Sequence, residues 1–201
     1  MNEKLQKMSE VIEALKTKEM KLVSTYEEGY IGKKIYQVTL NDGSIRMCEQ
    51  ITKNKDSGNA VVIVPITVDG KFLMIIESRP NTKESIALEF PAGMVDKDED
   101  FVVAAKRELL EETGYEADDV YELEWHYQDQ GCSNAIITTY VALGCRKVQE
   151  QNLDADEKLV SMEMTYEEIL ELMKQEKSSI LNDANTKTAF MSYVLKQKGV
   201  L

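Results

Sequence analysis

Residues 93–115 read GMVDKDEDFVVAAKRELLEETGY, and this stretch decides the fold. Its second half, Phe101 to Thr113, reads as a helix, and Gly114 stands where a left-handed residue is wanted to end one. On that helix Glu108, Glu111 and Glu112 fall at i, i+3 and i+4, so the three carboxylates share one face. Like charges at that spacing cost about a few tenths of a kcal/mol per pair and call for a counter-charge. Arg107, four residues before Glu111 and eight after Glu99, offers a guanidinium that can hold one or both of those carboxylates by a bidentate contact. The oxygens that remain, with a carbonyl from the Pro91-Ala92-Gly93 bend, make a hard donor set that suits Mg²⁺ or Mn²⁺. Neither histidine nor cysteine is present to favour zinc. A bare Glu-x-x-Glu-Glu has a second reading, an ordinary solvated face on an acidic protein.

Working outward, Ser85 to Phe90 reads as a short strand broken by Pro91-Ala92-Gly93, and before it a β-branched run, Ala60 to Val68, turns at Asp69-Gly70 into a strand from Lys71 to Glu77. The polar segment Lys53 to Asn59 is taken as a boundary between an N-terminal unit, residues 1–55, and a main domain, residues 56–201. In the N-terminal unit Leu5, Met8, Ile12 and Leu15 recur at helical spacing, which predicts an amphipathic helix over the first twenty or so residues. Strands at Ile31–Leu40 and Ser44–Thr52 flank the turn Asn41-Asp42-Gly43. Beyond Tyr115, strands are expected at Val120–Gln128, Ala135–Leu143 and Lys158–Met164. Thr165 and Glu168 form a capping box for a helix to about Lys177, and a last helix runs from near Asp183 to Lys198, stopped by Gly199. A strand-rich middle flanked by helices means α/β or α+β layers.

The chain has 201 residues with 36 acidic and 24 basic side chains, a formal charge of −12. Phosphate backbones and anionic lipid repel such a chain, so nucleic acid and membrane surfaces are excluded as partners. The longest strongly apolar run, Ala60 to Ile66, falls far short of a bilayer span, and the N-terminus does not read as a signal peptide. Three cysteines, Cys48, Cys132 and Cys145, without CxxC spacing argue against a disulfide framework and a zinc site, so the expected compartment is the cytoplasm.

Gly93, Glu99, Arg107, Glu108, Leu109, Glu111, Glu112, Gly114 and Tyr115 fill the pattern G-x5-E-x7-R-E-U-x-E-E-x-G-U, where U is a bulky apolar residue. Background frequencies give a chance match of about one in a million. The sequence resembles a Nudix hydrolase. Glu89-Phe90-Pro91-Ala92-Gly93 is similar to the entry found in the ADP-ribose pyrophosphatase branch, and Glu77-Ser78-Arg79 stands where that branch has Q-x-R. The resemblance implies an α/β/α sandwich with a mixed central sheet and hydrolysis of a nucleoside diphosphate linked to another moiety, ADP-ribose first, with Mg²⁺ as cofactor and Mn²⁺ as a substitute. It implies Glu108 and Glu112 as principal metal ligands, Glu111 as a further ligand or a water-mediated one and the Ala92 carbonyl as a backbone ligand, oriented by Arg107 and Glu99. Arg79, Glu89 and Gly93 are the implied substrate contacts, Arg79 reading either as a phosphate or ribose contact or as a structural salt bridge, since its fixed fork suits both.

In that branch a general base comes from an acidic loop after the box. Here Glu157 is the first candidate, with Asp156 and Asp154 behind it. The resemblance also implies a homodimer in which the N-terminal strands of one subunit lie over the active site of the other. One departure concerns the substrate: Asp129-Gln130-Gly131-Cys132-Ser133 lacks the Pro-Gly pair that many ADP-ribose hydrolases carry after the box. Tyr30, Tyr36 and Phe72 are candidates for base recognition as well as for packing, and His126, between Trp125 and Tyr127, reads as structural. Hydrolysis of another nucleotide, such as an oxidised nucleoside triphosphate or a dinucleotide, and a non-catalytic Nudix-fold sensor stay open.

Overall fold

The β-branched run becomes strand β4, Ala60–Thr67, and both of its faces are dry. Val61 and Ile63 enter one apolar cluster while Val62 and Val64 enter another, the two-residue alternation of a strand buried between layers. The computed structural model describes residues 3–155, 157–175 and 180–200. By contact the chain divides into two units, Met1–Gly58 with Tyr127–Ala135, and Asn59–His126 with Ile136–Leu201.

The second unit is built on a sheet in the order β11-β5-β4-β10-β8, from Leu159–Met164 through Phe72–Ser78, β4 and Ile136–Lys147 to Tyr115–Glu116. Strand β6, Ile86–Glu89, pairs with β5; β7, Ala92–Met94, with β4; and β9, Asp119–Tyr127, with β10. Strands β4 and β10 run parallel, whereas β5 is antiparallel to both β6 and β11, so the sheet is mixed. Helix α2, Phe101–Thr113, lays Ala104, Ala105 and Leu109 against Val61, Ile63, Leu73 and Tyr140 on one face. Helices α3, Tyr166–Lys174, and α4, Ala184–Gln197, lay Ile169, Ala189 and Phe190 against Val62, Val64, Phe72 and Met74 on the other. The result is the expected α/β/α sandwich of mixed α and β structure.

Helix α3 starts at the expected capping box, with Thr165 Oγ1 accepting from the Glu168 N–H. It ends at Lys174; Lys177, where the sequence reading closed it, lies outside the described residues. Pro91-Ala92-Gly93 is not simply a break, because Ala92, Gly93 and Met94 pair in register with Val62, Val61 and Ala60. Phe72 is not a base-recognition residue: it is buried and packs edge-on against Phe190 and Tyr193.

In the first unit, helix α1, Glu3–Leu15, stops earlier than helical spacing suggested, and Thr17–Tyr26 is strand β1 instead. The last carbonyls of α1 are taken up by the following hairpin: the Asn41 side chain donates to Glu13 O at 2.8 Å and the Asp42 N–H to Ala14 O at 3.0 Å. From Thr17 onward the chain pairs along β2, Ile31–Leu40, which pairs in turn with β3, Ile45–Lys53. Residues 127–135 join this unit through the Ile51 N–H, which donates to Cys132 O at 2.7 Å, and through Lys53 Nζ on Gln128. Among the described residues no helix is long and apolar enough to cross a membrane.

Candidate active site

Helix α2 is fixed at both ends. Asp100 caps its start, its carboxylate accepting from the Val102 N–H. Gly114 ends it at φ 74° with its N–H on Leu110 O, and a Cβ there would lie 2.2 Å from Gln149 O, so conformation and space both require glycine. The segment after β10 takes up two further carbonyls: the Asn152 N–H donates to Glu111 O and the Gln151 side chain to Glu112 O. The carboxylate-bearing turn is therefore held from below.

Arg107 organises the face as its spacing suggested. Nε and Nη2 grip Glu99 at 3.0 and 2.9 Å, Nη2 also donates to Met94 O, and Nη1 reaches Glu108 at 2.7 Å and Glu111 at 3.1 Å. All five guanidinium donors are engaged. The contact holds the Glu99 carboxyl below the usual range and raises the arginine's own pKa.

Glu108 and Glu112 are buried carboxylates. Burial pushes the pKa of Glu108 up to about 7 against the pull of Arg107, and that of Glu112 up to about 9, burial leading and the neighbouring Glu108 charge adding to it. The Glu112 carboxylate accepts the Ala92 N–H at 3.0 Å. Gly93 leaves the space these groups fill, since a Cβ there would lie 1.9 Å from Oε1 of Glu108. Glu111 is more exposed and leans on Arg107.

A second arginine cluster stands at the end of β5. Arg79 donates from Nε and Nη2 to both oxygens of Glu89, at 3.2 and 2.7 Å, and Nη2 lies 2.8 Å from Glu77 Oε2. Strand alternation puts Glu77 and Arg79 on one face, and β6 brings Glu89 beside them because Glu89 is opposite Ile75. The β5–β11 register pairs Leu159 with Glu77, and the Ser78 N–H donates to Lys158 O, which carries Glu157 to the same end of the sheet. The Glu157 charge acts there on Glu77, Glu108 and Glu112. Glu157 Oε2 accepts the Asp154 N–H, Asp154 itself is exposed, and Asp156 lies outside the described residues.

Glu77 was not among the candidate residues. Its signal was present in the sequence as an acid two residues from Arg79 in a strand, an i, i+2 pair that alternation places on one face. His126 sits between Glu124 and Asn185, both on its ring nitrogens, in keeping with a structural residue.

Around Arg107 and Arg79 stand Glu99, Glu108, Glu111, Glu77 and Glu89, with Glu112 and Glu157 within range of the same charges, so two cations face seven carboxylates, 2 − 7 = −5 in formal charge. Among the described residues no three acidic, histidine or cysteine side chains already converge on one point as a metal cage. Glu108 and Glu111 are turned onto Arg107, and Glu112 onto the Ala92 N–H. The donor chemistry nonetheless fits a hard divalent ion: every side-chain donor is a carboxylate oxygen, and two of them, on Glu108 and Glu112, are buried one helical turn apart.

The NUDIX domain model matches residues 56–184. The chain is 33% identical over 139 residues to the ADP-ribose pyrophosphatase of Bacillus subtilis (strain 168), covering 69% of this chain and 73% of that protein. It is 38% identical over 119 residues to the methanol dehydrogenase activator of Bacillus methanolicus, covering 59% of this chain and 64% of that protein, just under two thirds of its length. Its fold is similar to the crystal structure of an ADP compounds hydrolase, with a TM-score of 0.72 and 23% identity, over 92% of this chain and 96% of the other. With the domain model matched over more than half of its length, the chain belongs to the NUDIX domain family.

Proposed function

We propose that this chain is a divalent-metal-dependent hydrolase of a nucleoside diphosphate linked to another moiety, with ADP-ribose, cleaved to AMP and ribose 5-phosphate, as its first substrate. The observation that carries this reading is the pair of buried carboxylates Glu108 and Glu112 on one turn of α2, behind a glycine and within range of Glu157. Similarity to the Bacillus subtilis ADP-ribose pyrophosphatase supports the substrate.

Glu108 and Glu112, with Glu111 and the Ala92 carbonyl, would hold Mg²⁺, for which Mn²⁺ could substitute. When bound, such ions neutralise diphosphate oxygens and lower the pKa of a coordinated water. The protein's own groups supply the rest. Arg107 and Glu99 fix the direction of the α2 carboxylates. Glu157 takes the proton of the attacking water as general base. Arg79, backed by Glu89, contacts the diphosphate or the ribose, and Gly93 lets the substrate approach the backbone.

Residues 1–55 are assigned to dimerisation and to covering the substrate, in a cytoplasmic homodimer. Their concentration of exposed apolar side chains supports the dimer. The loop at 129–133, without a Pro-Gly pair, supports a second reading in which the substrate is another nucleotide. A hydrolysis panel of nucleotide sugars, dinucleotides and triphosphates in Mg²⁺ and Mn²⁺ separates them. The first reading expects AMP and ribose 5-phosphate from ADP-ribose; preference for a triphosphate with release of pyrophosphate overturns it, and binding without turnover in both metals marks a non-catalytic sensor.

A further inference from the structure

Arg79 is held in an unusual way for a residue facing an anion, by two carboxylates that lie beneath it. The side chains of Glu77 and Glu89 are 13% and 11% exposed, whereas that of Arg79 is 41% exposed. Nε and Nη2 each donate one hydrogen bond to Glu89, and Glu77 Oε2 forms an ion pair with the same Nη2 at 2.8 Å. Nη1 has no hydrogen-bond partner among the described residues. The backbone is equally constrained: the Arg79 N–H donates to Ser85 O, and Arg79 O accepts from both the N–H and the hydroxyl of Thr82. Glu89 alone would grip one edge of the guanidinium and leave the side chain free to swing about that contact. Glu77, on the strand that leads into Arg79, sets a second carboxylate 2.8 Å from the same Nη2 and restricts that freedom.

We propose that Glu77 is a positioning residue: with Glu89 it locks the Arg79 guanidinium so that Nη1 is presented, preformed, to the substrate diphosphate. The inference rests on reading this site as a nucleoside diphosphate hydrolase. Its chemical content is pre-organisation, since a long flexible side chain ordered before binding loses less freedom when the anion arrives. Glu77 touches neither substrate nor reacting atoms, and its influence passes through Arg79.

The test is steady-state kinetics on the full chain with ADP-ribose and Mg²⁺, after melting curves establish that each variant is folded. Glu77→Leu is expected to raise KM roughly tenfold with a much smaller change in kcat, the size of one lost close charge pair. Glu77→Gln, whose amide oxygen can still face Nη2 without a full charge, is expected to lose only about threefold. Arg79→Ala should raise KM on its own, and adding Glu77→Leu to it should cost nothing further. Should Glu77→Leu fail to fold, Glu77→Ala takes its place with the same expectations. An unchanged KM in Glu77→Leu overturns the inference, as does a full additional loss in the Arg79→Ala background. A wild-type chain that turns over no diphosphate overturns the functional reading and this inference together, whereas normal wild-type turnover with an indifferent Glu77 overturns this inference alone.

Discussion

At Gly93 the helix carboxylates press on backbone that has no side chain to displace. A methyl group there would overlap the Glu108 carboxylate at 1.9 Å, yet that carboxylate is the end of a flexible side chain and can swing away. Gly93→Ala is therefore expected to leave the fold within about 1 kcal/mol of wild type while activity falls by tenfold or more, because the displaced group is the one proposed to hold the metal. Denaturation and turnover measured on the same variant check both halves. Glu112→Gln is expected to abolish turnover, exceeding the roughly 10–100-fold loss typical of an outer partner of a metal site. The same residue sets a pH dependence. Glu108 and Glu112 ionise near 4.5 when unfolded but near 7 and 9 when folded, so between those values the folded state binds more protons and stability falls as pH rises. Metal-free protein should show a melting midpoint that declines from about pH 5 to about pH 9, and Glu112→Gln, neutral throughout, should decline less. A midpoint that rises over that range would contradict the burial of these acids.

At the scale of elements, α2 was legible because its signals are local. The spacing of the carboxylates, a glycine stop and an arginine four residues from a glutamate all lie within residues 93–115, and Arg107 does hold Glu99, Glu108 and Glu111. Strand β1 was not legible, because its conformation is dictated by pairing with β2 rather than by its own sequence, which follows directly on a helical pattern. Glu77 and Glu157 became neighbours only through the β5–β11 register, a long-range fact that no local window contains. Glycine at the end of α2 combines both kinds of signal: the stop was readable, but the closeness of Gln149 was not. Gly114→Ala should accordingly cost more than the about 1 kcal/mol of an ordinary glycine-to-alanine strain at positive φ, reaching about 2 kcal/mol or more, since Gln149 O is backbone and cannot rotate away. Urea denaturation measures it, and a cost below 1 kcal/mol would mean that the 148–152 segment yields easily.

For the whole molecule, the charge of −12 and the apolar surface have different distributions, and each constrains function. Much of the negative charge is drawn to the α2 face and the β5 end, where it favours divalent cations and, through them, a small polyanion. Exposed apolar surface is concentrated elsewhere: of 24 exposed large apolar side chains among the described residues, 13 fall between Leu5 and Met47. Leu5, Met8, Ile12 and Leu15 form one stripe on α1, each about half exposed, and a 13-residue helix with an unburied stripe is marginal in water by itself. A second copy of the chain meets that need symmetrically. Sedimentation of the intact chain should then give twice 22.8 kDa at micromolar concentration, and Leu5→Glu with Ile12→Glu should shift the mass toward 22.8 kDa while leaving the melting of the larger unit in place. A wild-type chain that stays at 22.8 kDa, or a doubly substituted one that stays at twice that mass, would separate the apolar stripe from self-association.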